Sequence, residues 1–168
     1  MATSASCRYV ASAPAVSNLS LFPTPPIPGV ATKRRVLVVE NHRFFRENLV
    51  NWLADQEELE CCGQAETVSE AQDAVNSGHP DLVLLDLFLD QDSHGFDFLR
   101  WMEATLLQLP VIVLSQHEES EFAYSALDAG ARAYVSKAAA TEELHPAISA
   151  VFDGKSYISG LGAFPATT

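Results

Sequence analysis

Three stretches of the chain are apolar at every position: Val36-Leu37-Val38-Val39, Leu82-Val83-Leu84-Leu85 and Val111-Ile112-Val113-Leu114. They do not alternate with polar residues. Short continuous runs of this kind predict strands buried on both faces, as in a parallel sheet covered by helices. A fourth run, Leu59-Glu60-Cys61-Cys62, carries a charge and predicts an edge strand. A fifth, Ala133-Tyr134-Val135, is short.

Between these runs the apolar spacing changes to that of helices. Phe45, Leu49, Trp52 and Leu53 mark a first helix. Thr67-Val68-Ser69-Glu70 has the form of a capping box and predicts the start of a second. Phe96, Leu99, Met102 and Leu106 mark a third, opening after Gly95. Phe122, Ala126 and Ala129 mark a fourth helix (α4, about 118–129), closed by Gly130 as a C′ residue. Leu144, Ile148, Val151 and Phe152 mark a fifth helix (α5, from Thr141 to about 153), with Glu142 and Glu143 in its dipole-favoured first turn. Pro146 falls early in it, where the missing N–H costs at most one hydrogen bond.

Strands and helices therefore alternate through five βα units over about 34–153. Such alternation implies a parallel sheet with right-handed crossovers. Five units suit the flavodoxin-like, doubly wound, five-stranded order 2-1-3-4-5. The expected organisation is an Ala/Ser/Pro-rich, disordered segment over 1–32, a folded domain over 33–155, and a short tail over 156–168. The density of prolines in Pro23-Thr24-Pro25-Pro26-Ile27-Pro28 opposes helix or strand there.

Charge narrows the function. The formal net charge is −12, but residues 1–35 hold four bases and no acid. The rest carries six bases against 22 acids, a net of −16. A body that acidic repels a phosphate backbone, so no direct nucleic-acid contact is expected. No apolar stretch reaches membrane-spanning length, so no membrane contact is expected and a cytoplasmic location is. Cys7, Cys61 and Cys62 make no disulfide framework and are read as reduced. The five histidines form no metal-ligand spacing, and His42, beside the acidic residues, is read as a surface residue.

In open α/β sheets ligands collect outside the carboxyl ends of the strands. Strand 1 is followed there by Glu40-Asn41-His42, strand 3 by Asp86, strand 4 by Ser115, and strand 5 by Ser136-Lys137. Each has an ordinary reading as a cap or a surface charge. Together they put carboxylates, a hydroxyl and an ammonium on one rim. That set suits phosphoryl transfer to a carboxylate: Asp86 as nucleophile, Lys137 and a divalent cation as counter-charges, and Ser115 as a donor to the phosphoryl oxygens. Mg²⁺ prefers one or two carboxylates plus water and phosphate oxygens.

The stretches VLVVENH (36–42), DLVLLDLFL (81–89), VIVLS (111–115) and GARAYVSKAAATEELHPAISAVFDGKSYIS (130–159) resemble response-regulator receiver domains of two-component systems. The last is similar to receivers that precede a helix-turn-helix DNA-binding domain, which is not expected in this chain. The resemblance implies that Asp86 is the phosphoacceptor and Lys137 the phosphate-contacting lysine. It implies that Ser115 and Tyr134 form a switch pair, and that Glu40, Asn41, Asp86 and the backbone carbonyl of Phe88 hold Mg²⁺. It further implies a histidine kinase or phosphotransfer protein as donor. The output partner would dock on the face made by α4, the fifth strand (β5, about 133–135) and α5. A homodimer is left open. The chain would be a stand-alone phosphorelay receiver rather than an enzyme. A degenerate, phosphorylation-independent adaptor is the alternative, and a phosphatase-like α/β enzyme is the more distant one.

Two departures bear on this. Asn41 stands where the family has a second acid, so Mg²⁺ should bind more weakly, by about 1–3 kcal/mol on the scale of one charge-assisted contact. The loop after Asp86 lacks the usual proline and carries Asp90 and Asp92.

Overall fold

The computed structural model describes residues 32–89, 94–105, 108–116 and 120–166. The expected disorder of 1–32 and the acids Asp90 and Asp92 lie outside these residues, Thr32 excepted. Twelve main elements run in order along the chain: β1 Arg34–Val39, α1 Arg43–Ala54, β2 Leu59–Ala65, α2 Val68–Gly78, β3 Leu82–Asp86, α3 Gly95–Ala104, β4 Val111–Ser115, α4 Ser120–Asp128, β5 Ala133–Ser136, α5 Ala140–Phe152, β6 Lys155–Ile158 and β7 Gly162–Pro165. A single 3₁₀ turn, Lys137–Ala139, joins β5 to α5.

The fully apolar runs are the central strands. Every residue of β3 and β4 is buried, and β1 is buried from Val36 onward. Their side chains point alternately into two core layers. One layer joins Leu37, Val39, Val83, Leu85, Val111 and Val113 to α2, α3 and α4. The other joins Val36, Val38, Leu82, Leu84, Ile112 and Leu114 to α1 and α5.

The strand order is β2-β1-β3-β4-β5-β6-β7. The expected order of five is present, but the sheet does not end at β5. β6 pairs parallel with β5 (Ala133↔Tyr157, Tyr134↔Ile158), and β7 pairs antiparallel with β6. The residues set apart as a tail, 156–168, thus supply most of a hairpin that extends the sheet. The reason is local: Ser156, Tyr157 and Ile158 are buried, and only Lys155 of that strand faces solvent.

Local signals set several element ends. Thr67 Oγ1 accepts the Glu70 N–H (3.2 Å), while Glu70 reaches back to the Glu66 N–H (2.8 Å), one residue beyond the N-cap that a standard capping box would engage. α4 ends in a Schellman arrangement, with Ala131 N–H on Ala126 C=O and Gly130 N–H on Leu127 C=O. Gly130 has φ +99°, which favours glycine. In α3 the deepest aromatic is Phe98, fully buried, whereas Phe96 is half-buried. α5 begins at Ala140, one residue before the expected start, and holds Pro146 inside it, as expected. β2 carries a bulge: Val36 pairs with Cys61 and Leu37 with Gly63, leaving Cys62 as the extra residue. Both thiols are free and half-buried, and burial raises their pKa.

Candidate functional site

β1 and β3 run side by side with Val39 opposite Leu85. One residue further, Glu40 and Asp86 leave their strands at the same level. On the other side Asp86 faces Leu114, and Ser115 faces Ser136. Lys137 comes immediately after. Sheet register alone therefore gathers Glu40, Asp86, Ser115 and Lys137 at one edge.

The Lys137 ammonium lies between the two carboxylates, 2.8 Å from Asp86 Oδ2 and 2.7 Å from Glu40 Oε2. It also sits 4.8 Å from the centre of the Phe45 ring, within cation–π range. The side chains of Glu40, Asp86 and Lys137 are 1%, 5% and 9% exposed. Their attraction is therefore screened little by water. The Phe88 N–H donates to Asp86 Oδ1 (3.1 Å), and the His42 N–H donates to Glu40 Oε1 (3.0 Å). Glu40 Oε2 meets the ammonium as an ion pair, off the angle of a good hydrogen bond, and no other described donor reaches it. Burial holds the Glu40 carboxyl above the usual carboxylate range; the Lys137 ammonium opposes that shift and the Asp86 charge adds to it.

The Asn41 amide donates through Nδ2 to the backbone carbonyl of Leu89. Above the pair lies a cleft of about 360 Å³ lined by Asn41, His42, Asp86, Phe88, Gln116 and Lys137. Ser115 is fully buried at the end of β4, and Tyr134 is 2% exposed. Tyr134 shares a core cluster with Ala123 and Ile158, so its ring lies inward of the surface.

The fit of this donor set to Mg²⁺ rests on its oxygens. Among the described residues no three His, Cys, Asp or Glu cluster as a metal site. The carboxylates are two, Glu40 and Asp86. The Asn41 amide oxygen and the Phe88 carbonyl are neutral oxygens on the adjoining loops. Two carboxylates, neutral oxygens and a cleft open to water are a set that Mg²⁺ accepts, and Glu40 Oε2 has a lone pair to spare. The residues fit, with one charge fewer than a three-carboxylate cup would supply.

The family is decided by sequence comparison. The sequence profile of the response regulator receiver domain matches residues 36–149.

The chain belongs to the response regulator receiver domain family.

The response regulator GacA of Pseudomonas aeruginosa is 34% identical over 125 residues, covering 74% of this chain and 58% of GacA. The response regulator protein VraR of Staphylococcus epidermidis is 30% identical over 125 residues, covering 73% of this chain and 58% of VraR. The chain therefore spans little more than half the length of these relatives. A LuxR-family two-component response regulator from Aurantimonas superposes with a TM-score of 0.70 at 26% identity, over 74% of this chain and 89% of that one. The receiver domain of the response regulator NarL from Mycobacterium tuberculosis gives 0.64 at 28%, over 73% and 95%. The receiver thus has the α/β fold expected from its apolar runs.

Three supporting residues escaped sequence reasoning. Arg46 is buried and donates from Nη1 to the Glu40 carbonyl (2.6 Å) while Nη2 pairs with Glu66 (2.6 Å), fixing the β1–α1 turn. Phe45, read as a packing residue, also faces the ammonium. Gly95 has no room for a side chain: a Cβ there would stand 2.5 Å from the Asp86 carbonyl oxygen. His42 is exposed, as expected, but its ring also caps α1 by accepting the Phe45 N–H (3.3 Å).

Proposed function

We propose that this receiver accepts a phosphoryl group on Asp86 in phosphorelay signalling, with a phosphohistidine of a kinase or phosphotransfer protein as donor. The observation that carries this is the buried ion pair of Asp86 with Lys137 at the floor of an open cleft. An Asp86 carboxylate oxygen attacks phosphorus, the P–O bond forms, and the P–N bond of the donor breaks with its electron pair going to the imidazole nitrogen. Charge dispersed over the phosphoryl oxygens calls for cations rather than for a general base. Lys137 is already placed to supply one. Mg²⁺, held by Glu40, Asp86 and the Phe88 carbonyl with the Asn41 amide beside them, would supply the second counter-charge when bound. Ser115 then serves as the hydroxyl that meets the phosphoryl group, with Tyr134 as its aromatic partner.

The expected α4–β5–α5 output face is modified at β5. β5 has no free edge, because β6 covers it and the Ser159 N–H donates to the Tyr134 carbonyl (2.8 Å). The surface that reports on Tyr134 is then α4 together with the β6–β7 hairpin, where Tyr124 and Leu161 are exposed. Its reader would be an output module, in the same chain or another. The adaptor reading is favoured by one observation, the engaged Asn41 amide. Titration with Mg²⁺ in the millimolar range separates the two: saturable binding supports the phosphoacceptor.

The test is intact mass after incubation with a small phosphodonor and Mg²⁺. Wild type is expected to gain one phosphoryl group, Asp86→Ala none, and Lys137→Ala to gain it more slowly. A chain that gains nothing at millimolar Mg²⁺ would overturn the proposal.

A further inference from the structure

Asn41 does more than lack a charge. Its Nδ2 reaches the carbonyl oxygen of Leu89, and against a carbonyl only the NH₂ end of an amide is attractive. A carboxylate of the same shape has no proton to donate and would set oxygen against oxygen. The segment it grips is short and otherwise fixed at both sides. Leu87 and Leu89 are each 1% exposed, and between them Phe88 turns outward. The Leu87 carbonyl accepts the Gly95 N–H (2.8 Å), and the Phe88 N–H lies on Asp86 Oδ1. At Leu89 the segment is tied by a side chain to the β1–α1 turn.

A cation bound by both loops would join them in the same place. We infer that Asn41 is a positioning residue that replaces that cross-link with a hydrogen bond, setting the Phe88 backbone against Asp86 before any cation arrives. The Leu87–Leu89 segment is then pre-formed in the metal-free receiver, and Mg²⁺ entry need not order it. The exchange has two sides. An aspartate at position 41 would hold the cation more strongly and leave the loops repelling each other without it. The asparagine gives up that charge and gains a site whose geometry does not depend on the cation. The inference builds on the reading of this cleft as a phosphoacceptor site. The two fail separately, because the clamp is measured without any phosphodonor.

The experiment is amide hydrogen exchange over residues 87–89, with and without Mg²⁺, on the wild type, Asn41→Asp and Asn41→Ala. In wild type the Phe88 amide is expected to be equally protected in EDTA and in millimolar Mg²⁺. In Asn41→Asp it should exchange about tenfold faster in EDTA, the scale of one hydrogen bond, and recover when Mg²⁺ is added. In Asn41→Ala it should exchange faster in EDTA, since the clamp is gone, and recover less with Mg²⁺ than Asn41→Asp does, since only Glu40, Asp86 and the Phe88 carbonyl remain to hold the cation. Wild-type protection that appears only with Mg²⁺ would overturn the inference, and this arm needs no variant to fold. So would Asn41→Asp that is as protected as wild type in EDTA.

Discussion

Glu40 holds a negative charge where almost none of it meets water, and its carboxyl is shifted upward by burial in spite of the ammonium beside it. A carboxyl whose folded-state pKa is raised binds its proton more tightly in the fold than in the unfolded chain. Its contribution to stability is then present at low pH and lost as pH rises through the raised value. Where the Glu40 carboxyl is ionised, that charge is therefore a cost to the fold rather than a support. Glu40→Gln is expected to raise the thermal midpoint at pH 7 in EDTA while weakening Mg²⁺ binding; a lowered midpoint would show that Lys137 needs both carboxylates. Gly95 is decided by contact instead. A Cβ there meets backbone on two sides, Asp86 O at 2.5 Å and Leu87 Cα at 2.9 Å. Neither can move without moving Asp86 or its neighbour. Gly95→Ala should cost about 1–3 kcal/mol in urea denaturation, as overpacking does. Wild-type stability would contradict the close approach.

The β6–β7 hairpin is the element that most changes the sheet. α5 packs in the same core layer as α1, yet it leads from β5 outward to β6, in the direction that α3 and α4 lead on the opposite face. The β5–α5–β6 step therefore has the hand opposite to the other crossovers, which is rare for parallel strands. Something local must hold it, and Glu143 is placed to do so. Its carboxylate accepts from Ser159 Oγ (2.6 Å), the Gly160 N–H (3.3 Å) and the Tyr157 hydroxyl (3.4 Å). Burial, with the Glu143 charge and hydrogen bond, raises the Tyr157 phenol above its ordinary pKa. Stability tied to that phenol is present at neutral pH and falls as pH rises into its titration. Glu143→Ala should destabilise by about 1 kcal/mol, the net worth of such a bond. It should also bring Tyr157 ionisation, read by ultraviolet absorbance, down in pH. An unmoved Tyr157 titration would show that the staple is not formed. None of this was legible in the chain. Lys155–Ile158 and Gly162–Pro165 are four residues each, and Gly160 and Gly162 flank the turn with φ +78°. Such pieces become strands only because β5 offers an edge. The long apolar runs, by contrast, announced β1, β3 and β4, since a strand buried on both faces tolerates few other residues.

For the whole receiver, one sheet edge collects the chemistry because register leaves no alternative. Once β1, β3, β4 and β5 lie parallel, Glu40, Asp86, Ser115 and Lys137 must meet. The candidate site was therefore legible in the polar residues at the carboxyl end of each apolar run. Arg46, Phe45 and Gly95, which brace it, were not: their partners (the Glu40 carbonyl and Glu66, the Lys137 ammonium, the Asp86 backbone) are brought near only by packing. The same sheet places Tyr134 beside the hairpin, paired with Ile158 of β6. All of this turns on Asp86. Treatment with a small phosphodonor and Mg²⁺, then reduction with borohydride, converts an aspartyl phosphate to a homoserine side chain that peptide mass spectrometry locates. The account predicts that label at Asp86 alone; an unlabelled Asp86, or label at another carboxylate, would contradict it.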